Sequence, residues 1–217
     1  MGGSRPSWEN YLRVEFVEKA IGPRPTLRQS SVLDAGAGTS RFVHDEFSAE
    51  SQVLQVDVAP NGRIDVACSV TNLPFRDEAF DVVLAFRVLQ HVPAETEALE
   101  EILRVTKAGG QILVAVANRN SWTMLGVRLD NPKWRKRIPY PFYRLYRREE
   151  LETKLRETGF VPIRIWSAIF LPEAINRLPV AASRALIKLG VALDRVAQQI
   201  PFIRDMGTNW VALGVKS

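Results

Sequence analysis

One cysteine, Cys68, occurs in 217 residues. A lone thiol cannot close an internal disulfide, so the fold has to be held by its core. The two histidines, His44 and His91, lie at no spacing that ligates a metal with each other or with Cys68, and no metal site is expected. No apolar run reaches the roughly 18 residues of a membrane-spanning helix, and no secretory leader pattern opens the chain. The expected compartment is therefore the cytoplasm. Internal repeats and low-complexity tracts are also missing, which excludes solenoids and long disordered stretches.

What the chain does have is 46% hydrophobic residues punctuated by 13 glycines and 13 prolines. That suffices for one well-buried core, and residues 1–217 are expected to form a single domain. The net charge of +5 is unevenly spread. Residues 1–118 carry 11 basic and 16 acidic groups, residues 119–148 carry 9 and 1, and residues 149–217 carry 9 and 7. The basicity is local and needs a local cause.

Ser31 to Arg41 reads as a buried strand, a glycine turn and the start of a helix. Val32 and Leu33 suit a central strand, while Gly36 and Gly38 let the backbone turn and approach a ligand closely. A dinucleotide fingerprint would need a third glycine where this chain has Arg41, which disfavours a nicotinamide oxidoreductase. Asp34, two residues before the first glycine, would repel a pyrophosphate. It suits a cationic partner such as an amino group or a sulfonium.

Downstream, apolar strands alternate with amphipathic helices. Ser40–Ser48 reads as a helix and Val53–Val58 as a second strand. Ile64–Phe75 is a third strand with its exit loop, and Ala79–Phe86 a fourth, followed by a loop over Arg87–Val92. Pro93–Thr106 is expected to be a helix stopped by Gly109-Gly110, with Glu100 and Arg104 paired outward. Gln111–Ala117 is the fifth strand. Arg148–Thr158 is a helix ended by Gly159, with outward pairs Glu150–Lys154 and Glu152–Arg156. Phe160–Ala168 and Asn209–Val215 complete the strands. Such alternation predicts a doubly wound α/β fold with a parallel sheet covered on both faces.

The motifs Leu33-Asp34-Ala35-Gly36-Ala37-Gly38-Thr39, Val56-Asp57-Val58, Asn72-Leu73-Pro74-Phe75, Phe80-Asp81-Val82-Val83, Leu89-Gln90-His91-Val92 and Gly109-Gly110 occur in this order. Together they resemble the class I S-adenosylmethionine-dependent methyltransferases, in particular the branch acting on small molecules and lipids. The resemblance is strong over residues 30–118. It implies a Rossmann-like seven-stranded sheet of order 3-2-1-4-5-7-6 with strand 7 antiparallel, and S-adenosyl-L-methionine as cofactor with S-adenosyl-L-homocysteine as product.

It also implies a set of cofactor contacts at Asp34, Ala35, Gly36, Gly38, Thr39, Asp57, Val58, Ser69, Val70 and Arg87. Asp34 would approach the methionine amino group, Gly36 and Gly38 lie under methionine and ribose, and Asp57 would accept both ribose hydroxyls. Similar proteins carry an aspartate near the adenine amino group where this chain has Ser69; its hydroxyl with the Val70 backbone would serve instead. Arg87, Gln90 and His91 are expected to face the reaction centre. His91, with an ordinary pKa of about 6.5, is the candidate general base, or else a residue that only packs and orders its loop. Methyl transfer can rest largely on aligning acceptor and methyl within about 3 to 3.5 Å.

Four regions follow: an N-terminal helix and linker (1–30), with Ser7 to Ile21 helical; a cofactor-binding core (31–118); a basic aromatic insertion (119–147); and the C-terminal half of the sheet (148–217) with a helical insertion at 171–204. The insertions are where acceptor specificity is expected. Arginines with aromatic faces suit a small anionic or a lipid-like acceptor. A solvated lid is the plain alternative, and nucleic acid is compatible but not favoured without an RNA-binding module. The 171–204 stretch could touch a membrane surface or pack on its own domain or a second subunit. The expected function is methyl transfer to oxygen, nitrogen or carbon of such an acceptor. Rivals are an RNA methyltransferase and a catalytically silent cofactor-binding subunit.

Overall fold

The computed structural model describes residues 17–18, 29–38, 42–49, 51–59, 64–124, 141–168, 189, 192–193 and 195–217. Thr39, most of the N-terminal helix, residues 125–140 of the basic insertion and all of 171–188 lie outside them.

Seven strands form one sheet in the order β3-β2-β1-β4-β5-β7-β6, as the motif resemblance implied. They are β1 (Ser31–Ala35), β2 (Gln52–Asp57), β3 (Val66–Ala67), β4 (Phe80–Phe86), β5 (Thr106–Ala117), β6 (Phe160–Ala168) and β7 (Asn209–Lys216). The first five pair in parallel, while β7 runs antiparallel to both β5 and β6. Three helices are described: α1 (Phe42–Phe47), α2 (Glu95–Val105) and α3 (Arg148–Thr158).

From Val82 to Phe86 the central strand β4 is apolar because both faces are covered. Along β4, Val83 and Ala85 face one way and join Leu99 and Ile102 of α2 with Leu151 and Leu155 of α3. Val82, Leu84 and Phe86 face the other way and meet Val43 and Phe47 of α1, with Val17. The period of two thus sorts a continuous apolar run into two cores.

Several elements depart from expectation. Strand β5 starts at Thr106, so Gly109-Gly110 does not stop the preceding helix; it lies inside the strand. The register jumps from Phe80↔Thr106 to Val82↔Gln111, and Gly109, with φ of 71°, takes the excess residues. Helix α2 begins at Glu95 rather than Pro93, and β3 is only two residues long. Arg104 pairs with Glu101 (2.7 Å) and Asp77 (2.7 Å) instead of Glu100. Its guanidinium also donates to the carbonyls of Leu73 (2.9 Å) and Phe75 (2.8 Å), fastening the Leu-Pro-Phe loop to α2. Lys154 reaches Glu95 (3.3 Å) while Glu150 accepts the Arg147 N–H at the start of α3. The Glu152–Arg156 pair forms as expected, at 3.0 Å.

Asp81 ties the amino ends of β1 and β4 together. It accepts the Ser31 N–H (2.8 Å), the Ser31 hydroxyl (2.7 Å) and the Lys107 ammonium (2.8 Å). Partial burial works against its charge, yet the Lys107 and Ser31 bonds hold the carboxyl below the usual carboxylate range. A groove of about 540 Å³ opens at this amino edge, lined by Ser31, Leu54, Pro74, Phe75 and Phe80 among others. Among the described residues, no helix is long and apolar enough to cross a membrane.

Candidate active site

Parallel strands deliver their exit loops to one edge, and open α/β sheets place ligands there. At this carboxyl edge stand the glycine turn after β1, Asp57 ending β2, Ser69 and Val70 after β3, and Arg87 to His91 after β4. The Gly36 and Ala37 N–H groups both donate to the Val56 carbonyl (2.9 and 3.0 Å), which folds the turn over toward β2. The Gly38 N–H then donates to Asp57 Oδ2 at 2.9 Å, and Asp57 Oδ1 accepts the Ala59 N–H at 3.0 Å. Glycine turn and carboxylate are therefore one unit.

The two glycines do different work. Both have positive φ, 74° and 66°. A Cβ on Gly36 would stand 2.5 Å from a Val88 methyl, so this position lets the β4 loop close on the turn. A Cβ on Gly38 would meet nothing within 4 Å among the described residues, which leave that side of the turn open. Asp34 lies deeper, with no exposed surface, and its Oδ2 accepts the Gln55 amide at 2.9 Å. It shares a sheet face with Gln55, two residues below Asp57 along β2, since side chains alternate along each strand. Ala35 is fully buried beneath the turn, and Val58 is 69% exposed beside Asp57.

The Ser69 hydroxyl is engaged in its own turn: it accepts the Thr71 N–H (3.2 Å) and lies 2.8 Å from Thr71 Oγ1. Val70 is buried in the core beside it. Burial, followed by the Asp57 charge, pushes the Cys68 thiol above its ordinary pKa, as befits an unreactive small hydrophobe.

The β4 loop corrects one expectation. Gln90 does not face a reaction centre; it is fully buried. Its Oε1 accepts the Ala117 N–H at 2.7 Å and its Nε2 lies 3.3 Å from His91 Nε2. The other ring nitrogen of His91, Nδ1, is 3.4 Å from the Phe142 carbonyl, and the ring packs on Tyr143 at 5.3 Å. Burial, and then the nearby Arg87 charge, lower the His91 pKa against the opposing pull of the Phe142 bond. Arg87 has a φ of 58° and donates its N–H to the Ala115 carbonyl (2.7 Å), so the loop turns sharply off β4.

Sequence reasoning missed a group that anchors residues 141–146 across the end of β5. Glu95, buried at the start of α2, binds Arg144 (2.8 Å) and Lys154 (3.3 Å). Burial and the Glu95 charge hold the Tyr146 phenol well above its ordinary pKa. The Arg144 N–H donates to the Gln90 carbonyl and the Tyr146 N–H to the Ala117 carbonyl, both at 2.9 Å. Asn118, almost fully buried after β5, donates its amide to the carbonyls of Asp205 (2.8 Å) and Gly207 (2.7 Å). The sequence signal was a helix opening on Glu95, with its favourable dipole position.

Residues 33–114 match the methyltransferase domain family. The match runs from within β1 into β5, less than half of the chain. Over that stretch the chain is similar to known methyltransferase domains. An uncharacterized protein of Methanocaldococcus jannaschii is 29% identical over 64% of this chain and 68% of its own length. A demethylmenaquinone methyltransferase of Renibacterium salmoninarum is 37% identical over 46% of this chain and 45% of its own length. The chain thus spans less than half of that relative. In fold, it is similar to a methyltransferase of Thermotoga maritima described as a possible histamine N-methyltransferase. The TM-score is 0.60 at 19% identity, covering 97% of this chain and 90% of that one.

Proposed function

We propose that this chain is a methyltransferase that holds S-adenosylmethionine between the glycine turn and Asp57 and methylates an oxygen, nitrogen or carbon of a small or lipid-like acceptor. The observation that carries the reading is the Gly38–Asp57 bond, which brings an open turn and a carboxylate to one point on the ligand edge. Bound there, the cofactor supplies a methyl carbon made electrophilic by its sulfonium.

Asp57 takes the ribose. Each of its oxygens accepts one backbone N–H and keeps a second lone pair for a hydroxyl donor. Val58 offers the adenine an exposed apolar face, and the backbone at Ser69 and Val70 meets its polar edge. Asp34, with Gln55, sits beneath the turn under the methionine amino group; Ala35 and Gly36 shape the turn itself. Arg87 borders the sulfur side of the loop.

His91 acts here as a holding residue. Its nitrogens face the Gln90 amide and the Phe142 carbonyl, so transfer rests on alignment of an acceptor that arrives already nucleophilic, as a neutral amine, an ionised oxygen or an enolate-like carbon. The basic and aromatic composition of 119–148 suits an anionic or amphipathic acceptor, and the partial match to a demethylmenaquinone methyltransferase supports the lipid-like side of that choice.

Titration calorimetry with S-adenosylhomocysteine tests the cofactor site. Wild type should bind, and Asp57→Ala should weaken binding by about tenfold or more, the loss of charge-assisted hydrogen bonds. Asp57→Asn, which keeps an acceptor for the Gly38 N–H, should retain the fold while still weakening binding. Absence of binding at about millimolar ligand, or an Asp57→Ala variant that binds like wild type, would sink the proposal.

A further inference from the structure

Helix α2 opens on Glu95, where the helix dipole favours a carboxylate. A carboxylate in that position ordinarily stays in water, yet Glu95 is only 5% exposed. Its Oε2 accepts from the Arg144 guanidinium at 2.8 Å and meets the Lys154 ammonium of α3 at 3.3 Å. Arg144 comes from the end of the basic aromatic insertion, 49 residues along the chain. A buried carboxylate stripped of its cations is left uncompensated, so the pair commits that segment to this place.

His91 precedes Glu95 by four residues, and residues 142–144 lie against both. The Phe142 carbonyl is 3.4 Å from His91 Nδ1, the Tyr143 ring packs on the imidazole at 5.3 Å, and the Arg144 N–H donates to the Gln90 carbonyl at 2.9 Å. These contacts differ in strength. The one between His91 and Phe142 is long for a hydrogen bond and cannot hold the segment by itself, whereas the Arg144–Glu95 bond is short and charge-assisted. Tyr146, with no exposed surface, pins the far end: its N–H donates to the Ala117 carbonyl and its carbonyl accepts the Arg119 N–H, both at 2.9 Å. The Arg144 guanidinium lies 5.2 Å from the centre of the Tyr146 ring, so Glu95 and the ring both bear on it.

We propose that Glu95 is a positioning residue: through Arg144 it holds residues 142–144 on the β4 loop and so fixes the His91 ring. That this ring borders the transferred methyl rests on the function proposed above; the link from Glu95 to His91 does not. The link bears on which acceptor is served. With Nε2 toward Gln90 and Nδ1 toward Phe142, the fixed ring has no nitrogen to spare for a proton of the acceptor. Glu95 thereby restricts the site to acceptors that arrive already nucleophilic.

Nuclear magnetic resonance of the two histidine rings tests this, with His91→Asn removing one set of signals and so assigning it. In wild type the His91 ring should show one tautomer, protonated at Nδ1. Glu95→Gln and Arg144→Met should each release the ring to the tautomer mixture of an exposed histidine, and Arg144→Met decides if Glu95→Gln does not fold. Lys154→Met removes the other cation on Glu95 without touching residues 142–144, and should leave the His91 signals as in wild type. The pKa of the ring is a second readout. Among the described residues, the charged or titratable groups about it are Arg87 on its own loop, Tyr143 and Arg144 on the segment over it, and Glu95 beyond Arg144. Loss of the Glu95 charge alone would lower the His91 pKa, whereas relief of burial, the largest influence on it, raises it toward about 6.5. His91 should therefore titrate higher in Glu95→Gln than in wild type. S-adenosylhomocysteine affinity should stay within about twofold in Arg144→Met, which separates this outcome from a failure of the cofactor site, read in Asp57→Ala. Wild-type His91 signals in folded Glu95→Gln or Arg144→Met, or an equal change in Lys154→Met, would overturn the proposal. So would a lowered His91 pKa in Glu95→Gln, or a loss of cofactor affinity of about tenfold in Arg144→Met.

Discussion

The side-chain amide of Gln90 can be oriented from its neighbours alone. The Ala117 N–H needs an acceptor, so Oε1 faces it and the amide NH2 faces His91. His91 Nε2 then accepts, which leaves Nδ1 to carry the proton toward the Phe142 carbonyl. A protonated ring would put two donors face to face at Gln90. This agrees with the direction of the His91 shift, lowered chiefly by burial and then by Arg87. Because the folded pKa lies below the unfolded one, the unfolded chain binds more protons just under pH 6.5. The stabilisation is therefore complete above the unfolded pKa and is lost as pH falls toward the folded one. Wild-type stability relative to His91→Asn, measured by urea unfolding, should decrease as pH is lowered from about 7 to 5. A difference that does not change with pH would contradict the tautomer assigned. Of this site, Asp57 was legible in the sequence because it ends a strand one step after a glycine turn. The Gln90–His91 arrangement was not, since the Phe142 carbonyl comes from 51 residues further along.

At the level of elements, Arg104 illustrates what periodicity can and cannot say. Glu100 and Glu101 are both within reach of it on a helix, and the spacing favours either. What decides is the loop from Leu73 to Asp77, whose carbonyls and carboxylate surround the guanidinium. The bonds from Arg104 in turn hold the Glu101 carboxyl below its ordinary range. Arg104→Met should cost about 1 to 3 kcal/mol in thermal or urea unfolding, discounted for the partial exposure of the group. Arg104→Lys should recover little of that loss, because an ammonium cannot fill a planar fork. A Lys variant as stable as wild type would show that charge alone, rather than the fork, matters. Helix α3 and strand β6 were legible to the residue because Gly159, with φ of 113°, separates them. The first five residues of β5 were not. Lys107 to Gly110 carries the residues of a helix stop, and only pairing with β4 turns it into a bulged strand.

Over the whole molecule, alternating helices and strands were enough to predict a parallel sheet, but not the insertion of β7 between β5 and β6. That order came from the motif resemblance, because an apolar eight-residue strand pairs as well at a sheet edge as inside it. The same topology offers a ligand two places at opposite edges, the glycine turn with Asp57 at the carboxyl end and the groove around Leu54 and Phe75 at the amino end. Only the first joins a carboxylate to an open turn, and everything said of function follows from that choice. A crystal structure with S-adenosylhomocysteine bound tests it most directly. The ribose hydroxyls should lie within about 3.5 Å of the Asp57 carboxylate, with the adenine against Val58. A nucleoside seated in the amino-edge groove, or at the carboxyl edge without touching Asp57, would contradict the account.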